Sequence, residues 1–404
     1  MTSSRLALLV AASLAAACGS KSSSSSPPPS FQVVPGDNVL AASVNGIHCP
    51  QNTDLNTPCV SVKVCAPGST TTCQTIDGLL LDTGSVGLRV FKQALSPALA
   101  AALPPVTTGG GALVECVQFA DGSSDWGPVQ SADLVLANEP AVRTPIQVID
   151  ATFGTVPSSC GKPETAPTTT TGILGLGVFL QDCGPSCASD PANGLYYVWN
   201  GSTATGATAA LASQLQNPVA LLPADNNGLI VSLPGVPDAG APSIEGAVVL
   251  GIGTRSNNAP AAATALPLDG AAEFTTTVSG GQPMPGSFVD TGSNGLFFAP
   301  PSAIPSCTDQ PDWFCPASTV SLSATNSPSA GISGPSVAAS FRIGNFDTLV
   351  TKASNRNAVF SEVGGAALAK AGFDWGLPFF LGRTVYFGIE ARMTPFGPGP
   401  SVAY

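Results

Sequence analysis

Asp82-Thr83-Gly84-Ser85-Val86-Gly87-Leu88 and Asp290-Thr291-Gly292-Ser293-Asn294-Gly295-Leu296 are two versions of one heptapeptide in a chain of 404 residues. Each follows an apolar run, Leu79-Leu80-Leu81 in the first and Phe288-Val289 in the second. Each therefore reads as a strand emptying into a tight turn that presents one carboxylate. A single Asp-Thr-Gly carries little weight, because Asp and Gly populate turns for reasons of backbone geometry alone. Two near-identical copies predict two lobes that each deliver an aspartate to a shared site.

A duplicated fold should repeat other landmarks at matching offsets. Ile173-Leu174-Gly175 ends 93 residues after Asp82, and Phe380-Leu381-Gly382 ends 92 residues after Asp290. A glycine after two large apolar residues suits a buried strand where another backbone passes close by. Both elements are expected to thread behind the aspartate loops.

These residues resemble the pepsin-like aspartic peptidases, and the resemblance covers most of the chain after its first residues. It extends to Phe119-Ala120-Asp121-Gly122-Ser123, which is similar to the flap hairpin that closes over substrate in that family. Gly172 to Gly177 and Gly246 to Gly253 resemble its first-lobe apolar-Gly segment and the strand opening its second lobe. The chain is also similar to a group of uncharacterised bacterial lipoproteins with paired Asp-Thr/Ser-Gly motifs. The implied fold is mostly β: a bilobal double β-barrel with pseudo-two-fold symmetry and a few short helices. The implied lobes span residues 32–235 and 236–404, with the Pro- and Gly-rich stretch Pro234 to Pro242 at their boundary.

The resemblance also assigns roles. Asp82 and Asp290 form the catalytic pair, and Ser85 and Ser293 bond the outer oxygen of each. Thr83 and Thr291 bond across to the opposite loop, while Gly84 and Gly292 let the backbones approach. Phe119, Asp121 and Gly122 belong to the substrate flap, with Asp121 expected as a turn former. Phe119 stands where most of the family has a tyrosine, and Arg89 where that tyrosine's tryptophan partner is expected. Two carboxylates a hydrogen-bond length apart cannot both ionise easily, so the pair holds one proton over a wide pH range. One carboxyl can then take a proton from water while the other polarises the scissile carbonyl. The expected activity is an aspartic endopeptidase acting on peptides or unfolded proteins; the alternative is a weak or inactive binding or scaffold lipoprotein.

Composition narrows the field. The single histidine, His48, leaves little room for Ser-His or Cys-His catalysis or a multi-histidine metal centre, and it is expected on a loop. A net charge of −11 argues against nucleic-acid partners. Aromatic residues make up only 6%, fewer than the sugar platforms of a glycosidase using the same acids would need. No cofactor and no metal are expected, and a monomer is.

Residues 1–17 read as an export leader, with Arg5, the apolar segment Leu6 to Leu14, and Ala15-Ala16-Ala17 before Cys18. Cys18 is the expected lipid attachment site, and the Ser/Pro-rich residues 18–31 the tether. The reading places the protein in the bacterial cell envelope, periplasmic or on the outer membrane, held to the membrane by lipid alone; ordinary secretion is the alternative. The other ten cysteines suit an oxidising compartment, with Cys183/Cys187 and Cys307/Cys315 as local pairs. Strands are expected at Val39–Val44, Val60–Val64, Ile76–Leu81, Leu113–Phe119, Asp133–Leu136, Ile146–Ile149, Val219–Leu222, Val248–Ile252, Phe274–Val278, Ser287–Val289, Val337–Ile343 and Val385–Ile389. Helices are expected in Phe91–Leu103, Ala207–Leu215 and Ala366–Ala371. Gly397-Pro398-Gly399-Pro400 reads as a solvated tail.

Overall fold

Each aspartate turn lies between a strand that delivers it and a strand that leaves it, with a third strand inserted between the two. The computed structural model describes residues 33–50, 52, 54–351, 356–367 and 372–404. In the first half, Cys73–Asp82 ends on the aspartate and Val86–Phe91 departs from the turn. Gly172–Leu176 runs parallel to the former and antiparallel to the latter, placing Gly175 opposite Asp82. In the second half, Asp374–Trp375 sits in the same way between Pro283–Val289 and Leu296–Phe298. A parallel neighbour completes each group: Val142–Ile149 beside Val86–Phe91, and Gly364–Ala366 beside Leu296–Phe298.

The second insertion corrects the expected repeat. Phe288 pairs with Asp374 and Val289 with Trp375, so Gly376, not Gly382, follows the register to Asp290. A Cβ on Gly376 would lie 2.2 Å from the Gly295 carbonyl oxygen and 2.5 Å from that of Ser293, so only glycine fits there. Phe380-Leu381-Gly382 lies past a 3-10 turn, Leu377–Phe379, and Leu381 bridges to Leu233 instead. An acid at position 374 breaks the apolar-apolar-Gly signature, which is why the matched offsets misled.

Strand makes up 41% of the described residues and helix 9%, so the fold is mostly β. Cys73–Asp82, Gly172–Leu176, Val86–Phe91, Val142–Ile149, Ser124–Val135 and Pro58–Cys65 pair in that cyclic order and close a six-stranded barrel. Closure removes the open edges that a strand-rich chain would otherwise expose. A seven-stranded sheet holds the second aspartate group, and a near-closed barrel is also present. The core of this half is aromatic: Phe373 stacks on Trp375 at 3.9 Å and on Phe298 at 4.6 Å, with Phe341 edge-on to both Phe373 and Trp375. Such contacts add to the burial of large apolar surface.

Between the two groups, Val39–Val44, Ile244–Leu250, Gly228–Ser232, Thr384–Gly388 and Ser401–Ala403 continue the barrel sheet. Pro234 to Pro242 is the loop joining two of these neighbouring strands. The chain end is accordingly no solvated tail: Gly397–Pro398 pairs with Met393–Thr394 and leads into the buried strand Ser401–Ala403.

Several helix and strand expectations also change. Ser96 caps a helix at Pro97–Ala102, so Phe91–Leu103 is divided by an extended break. Ala207–Leu215 forms only a 3-10 turn, Leu211–Ser213, and Val219–Leu221 is a second such turn rather than a strand. Alanine favours helix, but this segment is held by tertiary contacts, with Gln214 bonding Gly184 and Ala209. Ala366 ends a strand, and the remainder of the expected helix, 368–371, lies outside the described residues together with the leader, Cys18 and the tether.

All ten cysteines after Cys18 pair: Cys49–Cys59, Cys65–Cys73, Cys116–Cys160, Cys183–Cys187 and Cys307–Cys315. Five disulfides are compatible with an exported protein. No helix among the described residues is long and apolar enough to cross a membrane. Cys116–Cys160 spans 44 residues and lies buried against Trp126 and Tyr197. Its replacement by alanines should lower the unfolding free energy by about 2 to 4 kcal/mol in denaturant titrations, and loss of the short Cys183–Cys187 link by less.

Candidate active site

Asp82 and Asp290, 208 residues apart in sequence, are brought together by hydrogen bonds between their loops. The Thr83 N–H donates to Thr291 Oγ1 and the Thr291 N–H to Thr83 Oγ1, both at 3.0 Å across that 208-residue separation. Thr291 Oγ1 also donates to the Leu81 carbonyl at 2.7 Å. The Thr291 hydroxyl thus both donates and accepts, while that of Thr83 accepts.

One donor links the two carboxylates directly. The Gly84 N–H reaches Asp82 Oδ1 at 2.7 Å and Asp290 Oδ1 at 3.1 Å. The Gly292 N–H donates to Asp290 Oδ1 at 2.7 Å. A Cβ on Gly84 would lie 2.9 Å from Asp290 Cγ, and one on Gly292 2.9 Å from Asp82 Oδ1, so side chains there would wedge the acids apart. Ser85 Oγ donates to Asp82 Oδ2, and Ser293 Oγ to Asp290 Oδ2 at 2.8 Å. The eight residues of the two Asp-Thr-Gly-Ser turns therefore meet at one place.

Both aspartates are buried. Burial, then the neighbouring charge of Asp82, hold Asp290 well above the usual carboxylate range. Asp374 is a third acid here, and the repeat pattern in the sequence did not reveal it. It lies on the inserted strand behind the second turn, where an apolar residue was expected. Among the described residues, no hydrogen-bond partner reaches either of its oxygens. The Ser293 hydroxyl, already donated to Asp290, is near enough to favour the ionised form slightly, but burial prevails and pushes Asp374 up to about 7.

The aspartates open into a cleft of about 870 Å³. Phe119, Ala120 and Asp121 overhang it from the hairpin between Gly111–Gln118 and Ser124–Val135. Asp121 Oδ1 accepts the Ser123 N–H at 2.9 Å and the Ser123 hydroxyl at 2.7 Å, which shapes the turn around Gly122. His48 is on a loop, bonded through Nδ1 to Ser61 Oγ at 3.1 Å, away from this chemistry. Among the described residues, the one group of metal-ligand atoms close enough together is Cys307, Cys315 and Asp347, and its two sulfurs form a disulfide.

Arg89 is deeply buried, at 1% exposure, and lines the same cleft. It bonds Glu115 at 2.5 Å and Asp182 at 3.3 Å, and Tyr196 donates its hydroxyl to Asp182 at 2.9 Å. Burial alone would lower Arg89, but the charges of Glu115 and Asp182 more than reverse it. Arg89 also caps the Val86 carbonyl at 2.9 Å, tying this network to the first aspartate turn. Its charge was legible in the sequence; its two partners, 26 and 93 residues away, were not.

A sequence profile described as "Protein of unknown function (DUF3443)" matches residues 35–404. The chain belongs to the DUF3443 family. No match was found among curated proteins.

The buried acids make stability depend on pH. The folded state holds Asp374 protonated up to about 7, whereas an unfolded aspartate loses its proton near 4. Between those values the folded chain binds more protons, so stability is greater at the acid end and falls as pH rises through 7. The Asp374→Asn variant should lose part of that fall, gaining stability relative to the parent on the order of a few kcal/mol at pH 8 and little at pH 4. Thermal melts at the two pH values measure it.

Proposed function

We propose that this protein is an aspartic endopeptidase of pepsin-like architecture, whose water-activating pair is Asp82 and Asp290. The observation that carries the reading is the single Gly84 N–H shared by Asp82 Oδ1 and Asp290 Oδ1 inside a cleft large enough for a peptide. Oxygens bridged by one donor lie close together, and two such acids hold one proton between them. Support also comes from the four-strand pairing that recurs around each turn.

In this mechanism a water lies between the carboxyl groups and the scissile carbonyl. The ionised member takes a proton from the water as its oxygen attacks the carbonyl carbon. The protonated member gives its hydrogen to the carbonyl oxygen, leaving a neutral tetrahedral diol. Collapse of the diol breaks the C–N bond: the leaving nitrogen takes a proton from the protonated acid while a diol hydroxyl returns its proton to the ionised one, giving a carboxylic acid and an amine with the pair again singly protonated. No covalent acyl intermediate forms. The titration belongs to the pair rather than to either residue. Ser85, Ser293, Gly84 and Gly292 orient the carboxylates through their outer and inner oxygens, and Thr83 and Thr291 fix the spacing. Phe119 covers the substrate with its ring, without the phenolic hydrogen bond a tyrosine would add.

The protein acts, on this reading, on peptides or unfolded chains outside the cytoplasm, held to the envelope through lipid on Cys18. Hydrolysis of an unfolded polypeptide by the full chain should be measurable between pH 3 and 7. Asp82→Asn and Asp290→Asn should each reduce it at least about a hundredfold, the usual scale of a lost acid–base group. Activity unchanged in either variant contradicts the mechanism. Because Asp290 is raised by burial and by Asp82, the singly protonated pair persists above the ordinary carboxylate range. The rate should therefore hold through pH 5 and decline as rising pH removes the last proton. Peptide binding without turnover by the unsubstituted chain would favour the scaffold alternative.

A further inference from the structure

Beneath the flap, the cleft wall carries charge that the dyad does not use. Among the described residues lining the cleft, eight are acidic and one, Arg89, is basic. Arg89 is already shared by Glu115 and Asp182, so it is committed away from the other acids of this wall. Asp125 and Glu164 lie on the same wall, and Asp121 hangs above from the hairpin.

Asp125 is the informative member. It is only 3% exposed, and its carboxylate makes no hydrogen bond or ion pair among the described residues. Strand alternation fixes its direction. Trp126, next in Ser124–Val135, packs into the core against Tyr197 and bonds the Phe153 carbonyl, so Asp125 faces the other side, into the cleft beside its strand partner Val117. Glu164 is held alongside because its N–H donates to the Ser124 carbonyl at 2.9 Å. A buried carboxylate without a partner is costly, and proteins keep such groups where a ligand completes them.

We infer that Asp125 and Glu164 form a subsite for a cationic side chain, the ammonium or guanidinium of a lysine or arginine in the bound peptide. The inference rests on the peptidase reading and adds a substrate class to it. Among the described residues, neither carboxylate belongs to a group of three or more metal-ligating side chains, which favours an organic cation over a metal ion. Val117 and Phe119, also on this wall, offer apolar surface for a methylene stem, as long cationic side chains require. The state of the empty subsite agrees. Burial first, then Glu164, Glu115 and Asp121, push Asp125 up to about 7 against the opposing pull of Arg89, so without a cation it tends to hold a proton instead.

The test separates binding from catalysis. Fluorescein-labelled peptides that differ only by lysine or norleucine, scanned through each position, are titrated against the full chain carrying Asp290→Asn at pH 7.5. At one position the lysine peptide should bind about tenfold more tightly than its norleucine twin. Adding Asp125→Asn should reduce that ratio to below about twofold, and adding Glu164→Gln, at an exposed position, should reduce it partly. Thermal melts confirm that each variant is folded. Equal binding of the two peptides at every position, a preference that survives Asp125→Asn, or no peptide binding at all overturns the inference. Failure of the peptidase reading alone would look different: no cleavage by the unsubstituted chain, with the lysine preference intact.

Discussion

Thr83 and Thr291 exchange backbone N–H to hydroxyl bonds, and the rest of the site depends on that exchange. Two buried carboxylates repel one another and lose hydration, so a chain left to itself would separate them or expose them. Here the turns are tied together by the threonines, and each carboxylate receives backbone N–H and serine O–H donors. The closed barrel and the aromatic core of the second half hold the strands that feed the turns. The acids are kept close by everything around them, and burial together with the Asp82 charge holds Asp290 well above the usual carboxylate range.

The site was largely legible in the sequence because its determinants are local. Asp-Thr-Gly-Ser places donor, acceptor and close-approach glycine within four residues, and the pattern occurs twice. The strands were legible for a related reason: Val39–Val44, Phe274–Val278 and Val337–Ile343 have the β-branched and apolar content of strands and the turn residues that end them. What escaped depends on tertiary partners. Asp374 breaks the apolar pattern at the position where it matters, and the matching offset of Phe380-Leu381-Gly382 was a coincidence. The alanine-rich stretch near Ala207 obeys its contacts with Gln214 rather than its helix propensity. Asp125 lies outside every strand expected from the sequence, and only its tertiary neighbours single it out.

Charge is distributed in the cleft in a consistent way. Arg89 is buried and committed to Glu115 and Asp182, where it fixes the first aspartate turn through the Val86 carbonyl. Asp125 and Glu164, on the wall of the open space, meet no cationic side chain of the protein among the described residues. On the proposed reading, a polypeptide entering this cleft would meet Asp125 and Glu164 on one wall and the Asp82/Asp290 pair elsewhere in it, so the residues that would select a substrate and those that would cleave it are separate sets.

The most direct test of the account is a carbon-detected NMR titration of the Asp290 carboxyl in the full chain and in its Asp82→Asn variant. If the two acids are in contact, removing the Asp82 charge should lower the apparent pKa of Asp290, which should still remain above the ordinary aspartate value because it stays buried. An identical titration in both proteins would mean that the carboxylates do not sense one another, and the shared-proton account would be wrong.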